Sequence, residues 1–330
     1  MNAPPPNQSA AGLDSRELAA YYDVRYAGDY MAKYPSLETR RVEQLLAEVK
    51  RPVRSVVDFG CGQGGWVPSL ERAFPGTDVT GLEISAGAIA KARRSLPHHR
   101  FLGFERGRAP LPDAESDLVF CYHVLEHVLD LEATVAEIAR LLAPGGQACV
   151  ILPCGNAGSL EERVVRMRTD GADPETGRFF FEDPGHLRRL TTEATRELFL
   201  REGLVLVRHW YANQLWGALA WLALIGRGVT RELFRSEGAA SRRDRVRLRV
   251  LGLVVAGLTP FMQAHSLSRP WGRVRYARGF GERLRWMAAL IAKAAASPVG
   301  LVLDGLARRE WERGRTRPNG SAQYLLFEKR

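Results

Sequence analysis

A glycine-rich segment behind a short apolar run constrains the fold of this chain more than any other feature. The run SVVDFG (residues 55–60) is rich in β-branched residues, as buried strands are. Glycines stand at 60, 62, 64 and 65, and helical periodicity then continues to Ala73. A strand that turns sharply into a helix at glycines is typical of α/β proteins that bind a ligand at the carboxyl end of the sheet.

Strand and helix patterns alternate along the rest of the chain. This order predicts a doubly wound α/β fold with a parallel sheet that helices cover on both faces. The last segment, AQYLLFEKR (322–330), also alternates like a strand, so we expect it to pair back into the sheet. The other predicted strands are DVTGLEIS (78–85), RFLGFE (100–105), SDLVFCYHV (116–124), QACVILP (147–153, after a PGG turn) and LVLVRHWYA (204–212).

The chain is therefore expected to have five parts. Residues 1–13 are predicted to be a disordered lead-in, and they lack the basic and apolar regions of a signal peptide. Residues 14–50 are predicted to form an N-terminal helical cap, and residues 51–212 the ligand-binding core. Residues 213–320 are predicted to be a helical insertion, apolar and basic, before residues 321–330 return as the last strand of the core.

Two ligand-binding patterns overlap in the glycine-rich segment. Gly60-x-Gly62-x-x-Gly65 matches the dinucleotide fingerprint, which alone is a weak signal. Asp58-x-Gly60-x-Gly62-x-Gly64 matches the loop that binds S-adenosylmethionine, whose amino group Asp58 could hold. Glu83 ends the second strand, where a carboxylate can bind the ribose hydroxyls of either ligand, so Glu83 does not separate the two possibilities.

The longer pattern resembles the class I S-adenosylmethionine-dependent methyltransferases, especially the small-molecule group that includes ubiquinone and menaquinone methyltransferases. The matching segments, over about residues 50–212, are DFGCGQGG, LEIS, LPDAESDLVFCYHVLEHV, LLAPGGQACVILP and GHLRRLTTEATRELFLREG. The resemblance implies a Rossmann-like seven-stranded sheet with an antiparallel last strand, and S-adenosylmethionine as the cofactor. It assigns cofactor binding to Asp58, Gly60, Cys61, Gly62, Gly64, Glu83, Ile84, Glu105 and Tyr122.

One position departs from the family pattern. Family members usually carry an aspartate four residues before a Leu-Pro pair, where it holds the adenine amino group, but Gly107 stands there in this chain. Glu105 or a backbone contact would have to replace that aspartate. The resemblance therefore leaves the adenine contact open.

Three histidines are candidates for a general base. His123 and His127 flank Glu126 just after the fourth predicted strand, and His186 precedes a helix that faces the substrate in the resembling family. The cofactor's sulfonium is already an activated electrophile, but a hydroxyl acceptor must still lose its proton, for which a histidine is suited. We expect His123 to matter most, since His127 belongs to a Leu-Glu-His element that is equally consistent with a structural role. No metal is expected, because the four cysteines lack paired CxxC spacing.

The positive charge of the chain is concentrated in the insertion. The net charge is +10, and residues 213–320 hold 20 of the 47 Lys and Arg but 7 of the 37 Asp and Glu. Two stretches there, 209–226 and 250–268, lack charged residues and approach the roughly 18–20 residues of a membrane-spanning helix. The eight arginines between residues 227 and 249 argue against a spanning pair.

These patterns together predict an enzyme with an unusual appendage. We interpret the insertion as helices that lie on an anionic membrane, with Trp216, Trp221, Trp271 and Trp286 at headgroup level. A helical cap packed over the active site is the alternative.

The predicted function is methyl transfer, at oxygen, to a hydrophobic small-molecule or lipid-like acceptor in biosynthesis. An RNA methyltransferase and a non-catalytic membrane scaffold are the other hypotheses, although nucleic acid is not the expected partner. The expected location is the cytoplasm, with peripheral contact to the inner membrane face.

Overall fold

The computed structural model describes residues 10–28, 36–50, 52–104, 108–224, 227–266 and 279–330. Its strands are β1 (Ser55–Phe59), β2 (Asp78–Glu83), β3 (Arg100–Gly103), β4 (Ser116–Tyr122), β5 (Leu142–Pro153), β6 (Leu204–Ala212) and β7 (Ala322–Lys329). Its helices are α1 (Ser15–Ala27), α2 (Ser36–Leu46), α3 (Val67–Ala73), α4 (Ala86–Ser95), α5 (Leu131–Leu141), α6 (Leu160–Arg166), α7 (Thr192–Arg201), α8 (Trp216–Leu224), α9 (Arg227–Leu233), α10 (Arg242–Ser266) and α11 (Phe280–Gly314).

The seven strands form one sheet in the order β3-β2-β1-β4-β5-β7-β6. The neighbours from β3 to β5 are parallel, and β7 lies antiparallel between β5 and β6. Leu325 of β7 pairs with Val150 on one side and His209 on the other. The predicted doubly wound α/β sheet with an antiparallel last strand is therefore confirmed.

Both faces of the sheet are buried, because successive residues of a strand point to opposite sides. Val56 belongs to one apolar cluster, together with helices α2 and α3, whereas Val57 belongs to another, with α5 and α7. In β7, Tyr324 and Leu325 divide in the same way. This two-sided burial explains why the central strands are almost continuously apolar in sequence.

The start of β5 differs from the predicted turn at PGG. Ser116 pairs with Leu142 and Leu118 pairs with Gln147, so β5 contains extra residues at this point. Pro144-Gly145-Gly146 forms a bulge within the strand, with Gly145 at φ +75°. The glycine pattern correctly indicated that the chain changes direction here. It did not indicate that β5 pairs with β4 both before and after the bulge.

Helices α8 to α11 connect β6 to β7 and form the predicted helical insertion. Helices α8, α9 and α10 pack on one another and on α6 through a small apolar cluster that includes Leu160, Ala218, Leu222 and Leu248. Helix α11 packs on α8 and α10 through a second cluster that includes Leu303. The end of α11 reaches the sheet core, where the indole of Trp311 contacts Trp210 and Tyr324. The insertion is thus continuous with the core at this end and extends away from it elsewhere.

Candidate active site

The glycine-rich loop between β1 and α3 takes a backbone path that other residues cannot follow. Gly62 has φ +54°, and a Cβ atom there would lie 2.7 Å from the hydroxyl oxygen of Tyr26 on α1. A Cβ atom at Gly60 would lie 2.4 Å from Val124 Cγ2. The amides of Gly60 and Cys61 both donate to the carbonyl of Leu82 on β2, which fixes the loop against its neighbour. The loop is therefore compact and closely approached from α1.

Asp58 is buried near the carboxyl end of β1 with one carboxyl oxygen unsatisfied. Its side chain is almost fully inaccessible, and Oδ2 has no hydrogen-bond partner within the residues that the structure describes. Burial, and next the charge of Glu83, raise the pKa of the Asp58 carboxyl to about 8. A cationic group placed against Oδ2 would supply the missing hydrogen bond and stabilise the ionised carboxylate. The ammonium of S-adenosylmethionine fits this requirement.

Glu83 ends β2 and holds the loop in place. Its carboxylate accepts hydrogen bonds from the amides of Gly62 (2.9 Å), Ile84 (2.8 Å) and Ser85 (3.0 Å). Burial raises the pKa of this carboxyl, although the three amides act in the opposite direction. Ile84 packs against the tyrosine cluster of α1. Glu83 thus stands at the position expected for a ribose ligand and also organises the glycine loop around itself.

The remaining residues assigned to the cofactor by resemblance lie in different environments. Cys61 and Gly64 belong to the loop, and burial raises the pKa of the Cys61 thiol well above its usual value. Tyr122 ends β4, with its ring 4.7 Å from that of Trp66 and its hydroxyl 3.3 Å from Glu38 Oε1. Glu105 lies outside the described residues. Two aromatic residues, Phe59 and Phe104, line the cavity with their ring centroids 5.2 Å apart.

His123 forms an ion pair with Glu126 directly after β4. Its Nδ1 lies 2.7 Å from Glu126 Oε1, and the two side chains are 26% and 1% exposed. Burial lowers the pKa of His123, but the charge and hydrogen bond of Glu126 outweigh it, and the pKa lies above its ordinary value. His123 also has a left-handed backbone (φ +53°), which is uncommon outside glycine and clusters at functional sites. The pair orients the ring, and Nε2 makes no hydrogen bond within the described part of the chain.

His127 and His186 form a second pair beside the first. Their ring centroids lie 4.7 Å apart, and Nδ1 of His127 donates to the carbonyl of Gly185 at 2.9 Å. Burial, and next His186, lower the pKa of His127 to about 4, so its ring is neutral at pH 7. Glu126, His127 and His186 each offer one potential metal-ligand atom, all within 4.8 Å of one another. The structure thus brings all three predicted histidines to one region.

Several polar residues of this region carried no signal in the sequence. Arg189 is buried and donates to Glu161 Oε2 (3.1 Å), to Glu182 and to the Cys154 carbonyl (2.8 Å). It thereby ties the loop before α7 to the end of β5. Glu126 stood between two predicted histidines but was not itself predicted to act. Glu38 and Arg41 lie on α2, far from β4 in the sequence (Glu38 and Tyr122 are 84 residues apart), and only the fold brings them to the site.

A cavity of about 1210 Å³ connects these groups. It is lined by the glycine loop and Glu83, and by Tyr122 and His123. The α8 residues Gly217, Ala220, Trp221 and Leu224, from the insertion, line it as well. One continuous space therefore runs from the predicted cofactor loop to the apolar helices.

Comparison with known proteins identifies the family to which this chain belongs. The sequence profile of a methyltransferase-domain family matches residues 30–209, more than half of the chain. The chain therefore belongs to this family, and with the sheet order and the loop it is a class I S-adenosylmethionine-dependent methyltransferase. S-adenosylmethionine is accordingly its cofactor, as the resemblance implied.

Curated relatives match part of this chain. A trans-aconitate 2-methyltransferase of Variovorax paradoxus is 34% identical over 122 residues, covering 37% of this chain and 47% of the relative. A malonyl-[acyl-carrier protein] O-methyltransferase of Serratia marcescens is 35% identical over 156 residues, covering 47% of this chain and 59% of the relative. The chain thus spans about half the length of the curated relatives it matches.

A solved structure shares the fold along the whole chain. The [4+2]-cyclase SpnF superposes with a TM-score of 0.51 at 16% identity, covering 100% of this chain and 99% of that one. Because that protein is named for cyclisation, the likeness establishes the architecture and not the reaction.

Proposed function

We propose that this protein transfers the methyl group of S-adenosylmethionine to an oxygen of a hydrophobic small-molecule or lipid-like acceptor. The cavity carries this proposal, because a single space of about 1210 Å³ is lined by the glycine loop and by the apolar α8. A cofactor at Gly60 to Gly64 and an acceptor along Ala220, Trp221 and Leu224 would therefore share this space.

The residues of the core have distinct roles in this proposal. Asp58 holds the cofactor's amino group and Glu83 its ribose, and the bound cofactor supplies an activated methyl group. His123 accepts the proton of the acceptor hydroxyl at Nε2, while Glu126 orients the ring and stabilises the imidazolium that forms. His127 and His186 line the cavity beside this pair, and a neutral His127 can contribute a hydrogen-bond acceptor at Nε2. The remaining rate acceleration comes from in-line placement of the acceptor oxygen against the methyl group.

The names of the relatives support oxygen as the acceptor atom. One relative is an O-methyltransferase of malonyl-[acyl-carrier protein], and another methylates trans-aconitate. The acceptor itself is proposed to differ, since the insertion that lines part of the cavity lies outside the family match.

We further propose that the insertion contacts an anionic membrane surface from the cytoplasmic side. Helices α10 and α11 are long and apolar enough to cross a membrane, yet their most apolar windows are only 22% and 17% buried in the protein. Leu253 and Ile291, for example, are 75% and 67% exposed. Arginines flank these helices, as anionic headgroups require. Trp216 and Trp221 are also partly exposed, whereas Trp271 lies outside the described residues.

Two assays test these proposals together. The protein is incubated with S-adenosylmethionine labelled on the methyl group and with either a total lipid extract or total RNA from a bacterium. Label in the lipid fraction supports the proposal, and label in RNA supports the RNA methyltransferase instead. Co-sedimentation with vesicles of phosphatidylglycerol, compared with phosphatidylcholine, tests the membrane contact. Binding to neither vesicle overturns that contact and favours a helical cap.

A further inference from the structure

Arg41 is a buried arginine whose guanidinium is only partly satisfied. It stands on α2, and its side chain is 4% exposed. Nη1 donates to Asn213 Oδ1 at 3.0 Å and lies 3.5 Å from Glu38 Oε2. Nε and Nη2 are also inaccessible to solvent, and neither has a hydrogen-bond partner in the described part of the chain. Among the described residues, the Nε–Nη2 edge of the guanidinium is therefore left without a hydrogen-bond acceptor, although Tyr324 lies close enough to interact with the guanidinium electrostatically.

This arrangement is unfavourable unless a ligand completes it. A buried donor without an acceptor costs about 1–3 kcal/mol, and more when the group is charged. Nε and Nη2 together form one edge of the planar guanidinium, and two parallel N–H groups of this kind bind a carboxylate bidentately. The unsatisfied part of Arg41 is thus complementary to one chemical group in particular.

The nearby acid does not fill this role. Glu38 is held elsewhere, because the hydroxyl of Tyr324 donates to both of its carboxylate oxygens, at 2.8 and 2.7 Å. Tyr122 adds a third hydrogen bond at 3.3 Å. Glu38 approaches Arg41 on the side of Nη1 and keeps that side occupied together with Asn213. The opposite edge remains for a ligand.

The surroundings of Arg41 hold it in place and leave space beside it. The guanidinium lies 5.4 Å from the ring centroid of Trp311, which supports it from α11. Gly217 of α8 stands close to the free edge, since a Cβ atom there would lie 3.3 Å from Nη2 and 2.3 Å from Asn213 Oδ1. A side chain at residue 217 would crowd this place. Arg41, Asn213 and Gly217 all line the cavity that contains the cofactor loop.

We propose that the Nε–Nη2 edge of Arg41 binds a carboxylate of the acceptor, so that the substrate is an amphipathic acid. Its apolar part extends along Ala220, Trp221 and Leu224 on α8, and its carboxylate is anchored one helical turn away, beside Gly217. Arg41 acts as an anchor for the substrate and does not touch the transferred methyl group. This assignment rests on the proposed function insofar as the acid is the methyl acceptor.

Binding measurements test the anchor without any methyl transfer. The full-length protein, saturated with S-adenosylhomocysteine, is titrated with octanoate and with the neutral octanamide, which has the same chain length. Wild type is expected to bind octanoate at least tenfold more tightly than octanamide. Arg41→Gln should remove this preference, and Arg41→Lys should retain little of it, because lysine keeps the charge but not the planar edge. Arg40→Gln, an exposed neighbour on the same helix, is the matched control and should behave as wild type.

Each outcome decides between the possibilities. An equal preference for octanoate in wild type and Arg41→Gln, or no preference in wild type, overturns the anchor. If Arg41→Gln fails to fold, as judged by its melting temperature and its affinity for S-adenosylhomocysteine, Gly217→Ala replaces it and should weaken octanoate binding at least fivefold. Label transfer to lipid by a wild type without carboxylate preference would refute the anchor alone. Arg41-dependent octanoate binding without any methyl transfer would refute the proposed function alone.

Discussion

The sheet core and the helical insertion differ in which side chains they bury and which they expose. In the core, buried charged groups such as Glu83, with three backbone amides, and Arg189, with Glu161 and Glu182, are matched to partners, and the unsatisfied atoms of Asp58 and Arg41 are those proposed to bind ligands. In the insertion, large apolar side chains such as Leu253 and Ile291 are exposed, with arginines around them. The core thus has the fixed donors and acceptors that a small polar cofactor requires. The insertion has the exposed surface that an extended apolar partner requires.

The two regions nevertheless meet where the indole of Trp311 on α11 contacts Trp210 of β6, and they line one cavity together. Within the insertion, Glu310 of α11 accepts hydrogen bonds from the backbone amides that begin α8, including Trp216 (2.7 Å) and Gly217 (3.1 Å). A negative charge at a helix N-terminus is favourable, so this contact fixes the helix whose residues line the cavity. The comparison therefore predicts that changes in the core alter chemistry, whereas changes on the exposed face of the insertion alter only association.

The largest effect is expected at Asp58. Asp58→Asn removes the charge that holds the cofactor's ammonium, and loss of one partner of a buried ion pair costs about 3–5 kcal/mol. Affinity for S-adenosylmethionine should fall at least about 100-fold, measured by isothermal titration calorimetry. Unchanged affinity would place the amino group elsewhere.

The same substitution should stabilise the protein without cofactor in a pH-dependent way. The folded-state pKa of Asp58, about 8, lies above the ordinary value of 3.8, so folding favours the protonated form. Its contribution to stability is complete below pH 3.8 and is lost as pH rises towards 8. The melting temperature of Asp58→Asn should therefore exceed that of wild type by several degrees at pH 8 and by less at pH 5. A gap that shrinks as pH rises would contradict the assignment.

The next largest effect is expected at the proposed base. His123→Ala should lower turnover at least tenfold and leave cofactor affinity within twofold, because His123 acts on the acceptor. His98→Ala, on an exposed loop, is the control. Wild-type turnover should rise as the pH increases above 6.5, the ordinary histidine value, because the pKa of His123 is raised and the ring loses its proton only at higher pH. Wild-type turnover in His123→Ala would remove His123 from the mechanism.

A smaller effect is expected on the exposed face of the insertion. Leu253→Glu combined with Ile291→Glu places charge on that face, and each lost apolar contact with a bilayer is worth about 1–3 kcal/mol. Binding to phosphatidylglycerol vesicles should fall at least fivefold, with the melting temperature unchanged. Leu200→Glu tests an apolar residue of the core that is 49% exposed, on α7, and should leave vesicle binding intact. An equal loss of vesicle binding in Leu200→Glu and in the double variant would show that the core and the insertion do not differ in membrane contact.

The smallest effect is a proton released when the cofactor binds. At pH 7 the Asp58 carboxyl is mostly protonated in the free protein, since its pKa is about 8. The cofactor's ammonium favours the ionised form, so binding at pH 7 should release close to one proton and binding at pH 9 almost none. Calorimetry in buffers of different ionisation enthalpy measures this number. Release that is independent of pH would contradict a protonated Asp58.

The sheet was predictable from sequence because it depends on local pattern, while much of the site depends on the fold. Alternation of strands and helices indicated the parallel core, and the glycine loop located Asp58 and Glu83. The antiparallel direction of β7 came from the resemblance, whereas its place between β5 and β6 was not predicted, since no local signal sets strand order. The sequence could not identify Arg41 and Glu38 as site residues, because an arginine and a glutamate on an amphipathic helix are usually solvated. Their role follows from burial by Tyr324 and Asn213, far away in the chain.

Transfer of labelled methyl groups tests the central claim most directly, that one cavity joins the cofactor loop to an apolar acceptor site. Wild type and Asp58→Asn are incubated with labelled S-adenosylmethionine, lipid extract and phosphatidylglycerol vesicles, and the organic phase is separated and counted. Label should enter the organic phase with wild type and fall to background with Asp58→Asn. Wild type that binds the cofactor but transfers no label to that phase would contradict the account.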